Sequence, residues 1–205
     1  VYTRDSEVIY PGASDRWFLP VTQTDIARLR EEYELPESFA LVVSRFFDHK
    51  KVDIAIEGAL KGDVDLVLVG TGPDYPYLKK VSSGSNRIKF IGFLPDDELR
   101  LIYEAADVFI FPGIEDFGLT PVEAMAAGTP VFGYNEGGVT ETVKAGVSGD
   151  LFETVDQLGE LLKDRRWKEY DREEIIAQAS LFSEERFKQQ FMRYLETLYG
   201  KRQGK

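Results

Sequence analysis

The sequence predicts an α/β fold built on a doubly wound, Rossmann-like parallel sheet. Short apolar runs alternate with longer helical patterns along most of the 205 residues. Several of these runs, such as residues 41–43 and 66–69, are apolar throughout, as is typical of parallel strands covered on both faces. Strands and helices that alternate in this way form sheets whose ligands bind at the carboxyl ends of the strands.

The predicted strands and helices alternate along the chain up to residue 163. Strands are predicted at residues 7–10, 39–44, 65–69, 88–91, 108–111, 130–134 and 150–152. Helices are predicted at residues 22–33, 51–61, 75–82, 97–106, 121–127, 139–145 and 155–163. Hydroxyl and acidic residues stand where the first of these helices begins, and Gly128 with Pro130 follows the end of helix 121–127.

After residue 163 the pattern changes to two helices, 164–179 and 183–199, with no strand between them. We therefore expect a single domain over residues 1–205, with its core at 7–163 and C-terminal helices at 164–199. The last helix carries an apolar stripe at helical spacing, formed by Phe187, Phe191, Tyr194, Leu195 and Leu198. We expect the stripe to pack on its own domain, and docking on a segment outside the chain is the alternative.

Composition excludes several classes of function. The chain has 36 acidic and 25 basic residues and a net charge of −11, which argues against nucleic acid or an anionic membrane as the main partner. The absence of cysteine and the presence of one histidine exclude thiolate and two-histidine metal sites. Residues 1–6 show neither an initiator methionine nor a signal peptide, so we expect a fragment of a longer, cytoplasmic polypeptide.

Four turns that follow predicted strands are the candidate ligand sites. Three of them contain glycine, which lets a ligand approach the backbone, and the fourth contains an arginine and two lysines. The turns lie at residues 44–51, 70–73, 113–121 and 135–138. Together they predict a glycine-lined crevice with basic residues at its rim, which suits a pyrophosphate. A dinucleotide fingerprint at Gly70 and Gly72 fails, because Tyr75 replaces the third glycine and Pro73 lacks a backbone donor.

Two carboxylates, Glu115 and Glu123, flank the turn at residues 117–120. Backbone N–H groups in this turn would lie at a helix start and could bind an anion. Glu115 could then accept hydrogen bonds from hydroxyls beside the anion, and Glu123 from the diol of a ribose. The alternative for Glu123 is a capping box with Thr120, with Pro121 at the first helical position, and the alternative for Glu115 is a solvated loop residue.

The segment from Glu115 to Val131 closely resembles the donor-site motif of retaining glycosyltransferases of family 4, and of mannosyltransferase-like members in particular. Other motifs of that family follow in the same order and spacing, so that the resemblance covers about residues 8–187. They are Ser44-Arg45 with Lys50, Gly70-Thr71-Gly72-Pro73, Phe90-Ile91-Gly92-Phe93, residues 106–112, and Gly137-Gly138. The resemblance implies the GT-B arrangement of two facing domains, of which this chain would be the carboxyl-terminal, donor-binding one, without the amino-terminal acceptor domain.

The resemblance also implies a role for each site residue. Arg45 and Lys50 would bind the diphosphate and neutralise it as the glycosidic bond breaks, while Glu115 holds a sugar hydroxyl. The implied donor-binding residues are Gly72, Pro73, Leu94, Asp96, Phe117, Gly118, Leu119, Thr120 and Glu123. Asp96 would lie near the nucleobase, although it is also placed to cap the helix that begins at Asp97.

Further implications concern the rest of the basic turn and the reaction. His49 follows Asp48 in a polar loop, and we expect it to be exposed and not catalytic. Lys51 stands where the family commonly has glycine, and it receives no role. No metal or cofactor is expected besides the nucleotide sugar, since no Asp-x-Asp pair is placed to hold a metal on a diphosphate.

The function predicted from the sequence is donor binding in a retaining hexosyltransferase, with GDP-mannose as the first candidate donor. The isolated domain is expected to be inactive alone, and the full-length protein to lie free in the cytoplasm or at the cytoplasmic face of the membrane, without membrane contact through this domain. Two alternatives are a non-catalytic nucleotide-binding module and a sugar-nucleotide epimerase of the same two-domain architecture.

Overall fold

The computed structural model describes residues 7–82 and 84–203, which fold around one six-stranded parallel sheet. The strands, in chain order, are β1 (Ala40–Val43), β2 (Leu66–Val69), β3 (Ile88–Gly92), β4 (Val108–Phe111), β5 (Val131–Tyr134) and β6 (Gly149–Phe152). Their order across the sheet is β3-β2-β1-β4-β5-β6. Because the order reverses between β1 and β4, the carboxyl ends of these two strands mark the point where doubly wound folds bind ligands. The predicted fold class is confirmed.

Helices cover both faces of the sheet. They are α1 (Gln23–Glu32), α2 (Val52–Gly62), α3 (Tyr75–Val81), α4 (Asp96–Ala105), α5 (Leu119–Ala126), α6 (Val139–Thr142), α7 (Val155–Lys163), α8 (Arg172–Ser180) and α9 (Glu184–Gln203). Short 3-10 segments lie at Asp15–Phe18, Asp48–Lys50 and Arg166–Glu169. No described helix has an apolar stretch of the length that crossing a membrane requires.

Two apolar clusters, one on each face of the sheet, form the core. Alternate residues of β1 belong to opposite clusters, Leu41 to one and Val42 to the other, and all of β2 is buried. This is why the strand sequences are apolar throughout instead of alternating.

The strand predicted at residues 7–10 is wrong, because this segment forms no strand. Tyr10 contacts the domain through its side chain, and backbone pairing begins slightly later, where Ala13 N–H donates to the carbonyl of Phe182 and Glu184 N–H donates to the carbonyl of Ala13. The backbone groups of this region therefore pair with the connection between α8 and α9, away from the sheet. The helix predicted at 164–179 is also interrupted, since Arg165 has a φ of +52° and Asp171 caps α8 by accepting from the N–H groups of Glu173 and Glu174.

The apolar stripe of α9 is not part of the core of the domain, which corrects the expectation from its spacing. Phe191 and Leu198 are 43% and 41% exposed, and the other three members of the stripe are only half-buried. Phe187 stacks on Phe191 at 5.8 Å between ring centroids, so the stripe contacts itself. No α9 residue up to Tyr199 belongs to either core cluster.

Candidate functional site

A cleft of about 560 Å³ opens where the order of the strands reverses. Its walls are the turns that follow β1, β2, β3 and β4, together with the first residues of α5 and Pro11. Eight of the twelve site residues predicted from the sequence line it: Arg45, Lys50, Leu94, Glu115, Phe117, Gly118, Leu119 and Thr120. Four do not line it, namely Gly72, Pro73, Asp96 and Glu123.

The two basic side chains of the cleft have different partners. Lys50 Nζ donates to Glu115 Oε1 at 2.5 Å, and the two side chains are 14% and 32% exposed. The Arg45 guanidinium lies over the ring of Phe47 at 5.5 Å, and it forms no ion pair with any described residue. His49 is exposed and stacks on the same phenylalanine, which confirms its predicted exposure. The cleft thus contains one cation already paired and one open to an anion.

Glycines hold the β2–α3 turn against the basic turn. Gly70 has a φ of +136°, and a Cβ there would lie 1.8 Å from the carbonyl oxygen of Ser44. A Cβ on Gly72 would lie 2.2 Å from the carbonyl oxygen of Phe46. Gly72 and Pro73 follow Thr71, which lines the cleft, but they do not line it themselves. The close approach of Gly70 and Gly72 to the basic turn helps to position that turn.

The turn between β4 and α5 presents backbone donors. Gly118 is the N-cap of α5 with a φ of +77°, and it is followed at once by the helical residues Leu119 and Thr120. Among the described residues, the N–H groups from Phe117 to Thr120 donate to no carbonyl outside the helix, and the first N–H groups of a helix have no partner within it. Because these residues line the cleft, free N–H groups and the positive end of the α5 dipole lie at its wall.

The Gly137-Gly138 turn packs against the backbone of Glu115 and Asp116. Gly138 N–H donates to the carbonyl oxygen of Glu115 at 2.8 Å. A Cβ on Gly138 would lie 2.4 Å from the carbonyl oxygen of Asp116, so only glycine allows this approach. The loop that carries Glu115 is thus backed by a second turn, and its side chain is directed to Lys50.

Glu123 lies one turn further along α5, and its carboxylate has a different environment. Glu123 Oε2 accepts a hydrogen bond from the Tyr103 hydroxyl at 3.0 Å. Burial, with a smaller contribution from the charge of Asp96, raises the pKa of Glu123 to about 7, although the Tyr103 hydrogen bond and Arg16 oppose the rise. The same burial, together with the charge of Glu123, raises the pKa of Tyr103 well above its ordinary value.

The capping roles considered for Glu123 and Asp96 are both wrong. Helix α5 begins two residues earlier than a Thr120 cap requires, because Gly118 takes the N-cap position, and the Glu123 carboxylate bonds to Tyr103 instead. Asp96 is the first residue of α4, and Pro95 occupies the N-cap position, with no side-chain capping bond. The Asp96 carboxylate instead pairs with Arg16 at 2.5 Å.

Several residues of the cleft lining received no individual role in the sequence analysis, although the turns and motifs that contain Ser44, Thr71 and Phe93 were singled out. Phe93 lines the cleft although it is 78% exposed, and Pro11, Ser44 and Thr71 line it as well. Ser44 ends the predicted strand 39–44, and Thr71 and Phe93 each come two residues after a predicted strand, so proximity to a strand end was the available signal. Within residues 7–82 and 84–203, no three carboxylate or imidazole side chains lie close enough together to share a metal ion.

Comparison with known proteins gives a consistent result. The family model described as glycosyl transferases group 1 matches residues 25–180. The chain is 31% identical over 167 residues to the 2-deoxystreptamine glucosyltransferase of Streptomyces kanamyceticus, a match that covers 76% of the chain and 43% of the relative. It is 32% identical over 197 residues to a GDP-mannose-dependent alpha-(1-6)-phosphatidylinositol monomannoside mannosyltransferase of Mycobacterium tuberculosis. That match covers 80% of the chain and 51% of the relative.

A solved structure shows the same fold. HepE of Anabaena, in complex with UDP-glucose, superposes with a TM-score of 0.80 at 26% identity, covering 93% of this chain and 57% of HepE. The chain therefore spans about half the length of the relatives it matches.

Proposed function

The chain belongs to the glycosyl transferases group 1 family, and from this premise we propose that its cleft binds the sugar-nucleotide donor of a retaining hexosyltransferase. One observation carries the proposal: Arg45, Lys50 and the free N–H groups at the start of α5 all line one cleft. Two cations and a helix start in one cleft would together bind an anion such as a diphosphate. A volume of about 560 Å³ lies in the range of small-molecule sites.

In the proposed site, the chain's own residues stabilise the leaving group. Arg45 and Lys50 would donate charge-assisted hydrogen bonds to the diphosphate, whose negative charge grows as the glycosidic bond breaks. Backbone N–H groups of Phe117, Gly118 and Leu119 would bind the sugar and the phosphate. Because these cations would neutralise the diphosphate, the proposal includes no metal ion.

Glu115 and Glu123 would hold hydroxyl groups of the donor. Glu115 would accept from a sugar hydroxyl and Glu123 from the ribose. Glu123 does not line the cleft, and its second oxygen, Oε1, accepts no hydrogen bond from a described side chain, so the proposed contact requires the ribose to reach that oxygen. Leu94 lines the cleft near the predicted position of the nucleobase.

Retention would follow if the acceptor hydroxyl attacks on the face that the diphosphate leaves. The bond from the anomeric carbon to the diphosphate oxygen breaks, the bond to the acceptor oxygen forms, and a phosphate oxygen takes the acceptor's proton. The acceptor would bind on a facing domain of a longer polypeptide, in line with the half-length coverage of the relatives. We therefore expect this chain alone to bind nucleotide without transferring sugar.

GDP-mannose is the first candidate donor, because the basic turn and the α5 turn resemble mannosyltransferase-like members. The Mycobacterium tuberculosis relative is named as GDP-mannose-dependent, whereas HepE was solved with UDP-glucose. Binding measurements with nucleotide sugars of different bases therefore identify the donor.

The proposal is tested by thermal unfolding of the 205-residue chain with UDP-, GDP- and ADP-sugars, followed by calorimetry of the best ligand. A ligand at 100 times its dissociation constant raises the free energy of unfolding by about 2.7 kcal/mol, so a bound nucleotide gives a clear rise in melting temperature. We expect one base to raise it in a concentration-dependent way. Absence of binding by every nucleotide sugar would contradict the proposed function.

A further inference from the structure

The cleft contains an ion pair that a diphosphate bound to Lys50 would have to break or share. Lys50 Nζ and Glu115 Oε1 are 2.5 Å apart, and Lys50 is the more buried of the two side chains. Arg45 can receive an anion without losing a carboxylate partner among the described residues. Lys50 can do so only in competition with Glu115.

On the basis of the proposed function, we infer that the Lys50–Glu115 pair makes the cleft discriminate between a nucleoside diphosphate and its sugar ester, with Glu115 as the specificity-determining residue. A diphosphate that takes Lys50 leaves the Glu115 carboxylate without its cation and next to a second anion. Both the lost pairing and the like-charge repulsion oppose binding of the diphosphate.

A sugar attached to the diphosphate removes much of this cost. Its hydroxyl groups donate hydrogen bonds, and a carboxylate is an acceptor with two oxygens to fill. A hydroxyl of the hexosyl group thus replaces Lys50 as the partner of Glu115, and the diphosphate replaces Glu115 as the partner of Lys50. After the sugar has been transferred, the nucleoside diphosphate lacks this compensation, and re-formation of the ion pair favours its release.

Contacts with the Gly137-Gly138 turn hold the backbone of Glu115 beside Lys50. Its carbonyl accepts from Gly138 N–H at 2.8 Å, and a Cβ at Gly137 would lie 2.6 Å from the same oxygen. The neighbouring Asp116 is exposed and forms no ion pair with a described residue. Asp116 therefore offers a matched control with the same change of charge.

The test compares Glu115→Gln with Asp116→Asn by calorimetry on the 205-residue chain, using GDP, GDP-mannose, UDP, UDP-glucose, ADP and ADP-glucose. For the base that the wild type binds, Glu115→Gln should bind the nucleoside diphosphate about threefold more tightly, because Lys50 is released from its pair. The same variant should bind the nucleotide sugar about tenfold more weakly, because an amide replaces a charged acceptor. Asp116→Asn should change both affinities in parallel and by less. Melting curves of the free variants check that both are folded.

Opposite shifts for the two ligands support the inference. Shifts in the same direction, no shift, or equal shifts in Asp116→Asn overturn it while leaving the proposed function intact, provided that the wild type binds nucleotide. If the wild type binds none of the six ligands, the proposed function fails and this inference fails with it.

Discussion

Glu115 and Glu123 lie eight residues apart in one motif, yet the structure gives them different environments. Glu115 lies in a loop at the cleft, where its carboxylate pairs with the Lys50 ammonium. Glu123 lies within α5, half-buried, where it accepts from the Tyr103 hydroxyl and burial raises its pKa to about 7. The comparison shows that the partner, a cation or a phenol, determines what each carboxylate can do.

The different partners of Glu115 and Glu123 predict different responses to a bound ligand. A carboxylate paired with a cation can exchange that partner when a hydroxyl-bearing ligand brings an anion for the cation. A carboxylate held by a buried phenol keeps its partner, and its own charge is opposed by burial and by Asp96. We therefore expect Glu115 to respond to the phosphate and sugar of a ligand, and Glu123 to respond to pH.

The largest effect is expected when the cations of the cleft are removed. Lys50→Met, which keeps the apolar stem, and Arg45→Ala should each weaken nucleoside diphosphate binding by about 1.5–3 kcal/mol, the contribution of a hydrogen bond to a charged group. Calorimetry with the diphosphate and with the bare nucleoside measures the difference. The nucleoside should bind equally well to both variants, and Lys51→Met serves as the matched control. An equal loss for the nucleoside would show that these residues shape the site without binding phosphate.

The second effect is the contribution of Glu123 to the pH dependence of the free energy of unfolding. Because the pKa of this carboxyl is higher in the folded protein than its ordinary value of 4.5, the folded state binds more protons between pH 4.5 and about 7. The free energy of unfolding of the wild type should therefore fall across this window, relative to Glu123→Gln, by about 1–3 kcal/mol. Urea unfolding at pH 5, 6, 7 and 8 measures it. Exposed Glu136→Gln provides the control, and a parallel pH dependence of wild type and Glu123→Gln would contradict the assignment.

The smallest effect concerns Lys51, the neighbour of the lysine that pairs with Glu115. Lys51 has a φ of +52°, and its ion pair with Asp48 spans 3.5 Å at the surface. Lys51→Gly should raise the free energy of unfolding by at most about 1 kcal/mol, because relief of the left-handed strain exceeds the entropy that glycine adds to the unfolded chain. Thermal melting measures the change, and nucleotide affinity should not change. A loss of affinity in both Lys51→Gly and Lys51→Met would place Lys51 in the site.

The sheet was predictable because its strands are buried on both faces, and continuous apolar runs such as residues 66–69 indicate such strands directly. Cap positions were less predictable. Gly118, with a φ of +77°, starts α5 two residues before the hydroxyl of Thr120, and Pro95 takes the N-cap position that Asp96 was expected to fill. Local patterns give the presence of a helix but leave several residues that could begin it.

Contacts between residues far apart in the sequence could not be predicted from local sequence patterns. Lys50 and Glu115 are separated by 65 positions, so the turns could be predicted to converge but their ion pair could not. The same holds for Tyr103 and Glu123. The stripe of α9 was misinterpreted because helical spacing shows that a face is apolar without showing what covers it.

The most direct test of the central claim is a crystal structure of the chain with the nucleotide sugar that it binds best. We expect the ligand in the cleft at the carboxyl ends of β1 and β4, with Lys50 Nζ about 2.7–3.2 Å from a diphosphate oxygen and Glu115 accepting from a sugar hydroxyl. The 2.5 Å contact between Lys50 and Glu115 would then be broken or shared with the ligand. A ligand bound outside this cleft, or within it while the ion pair stays intact and contacts neither phosphate nor sugar, would contradict the claim.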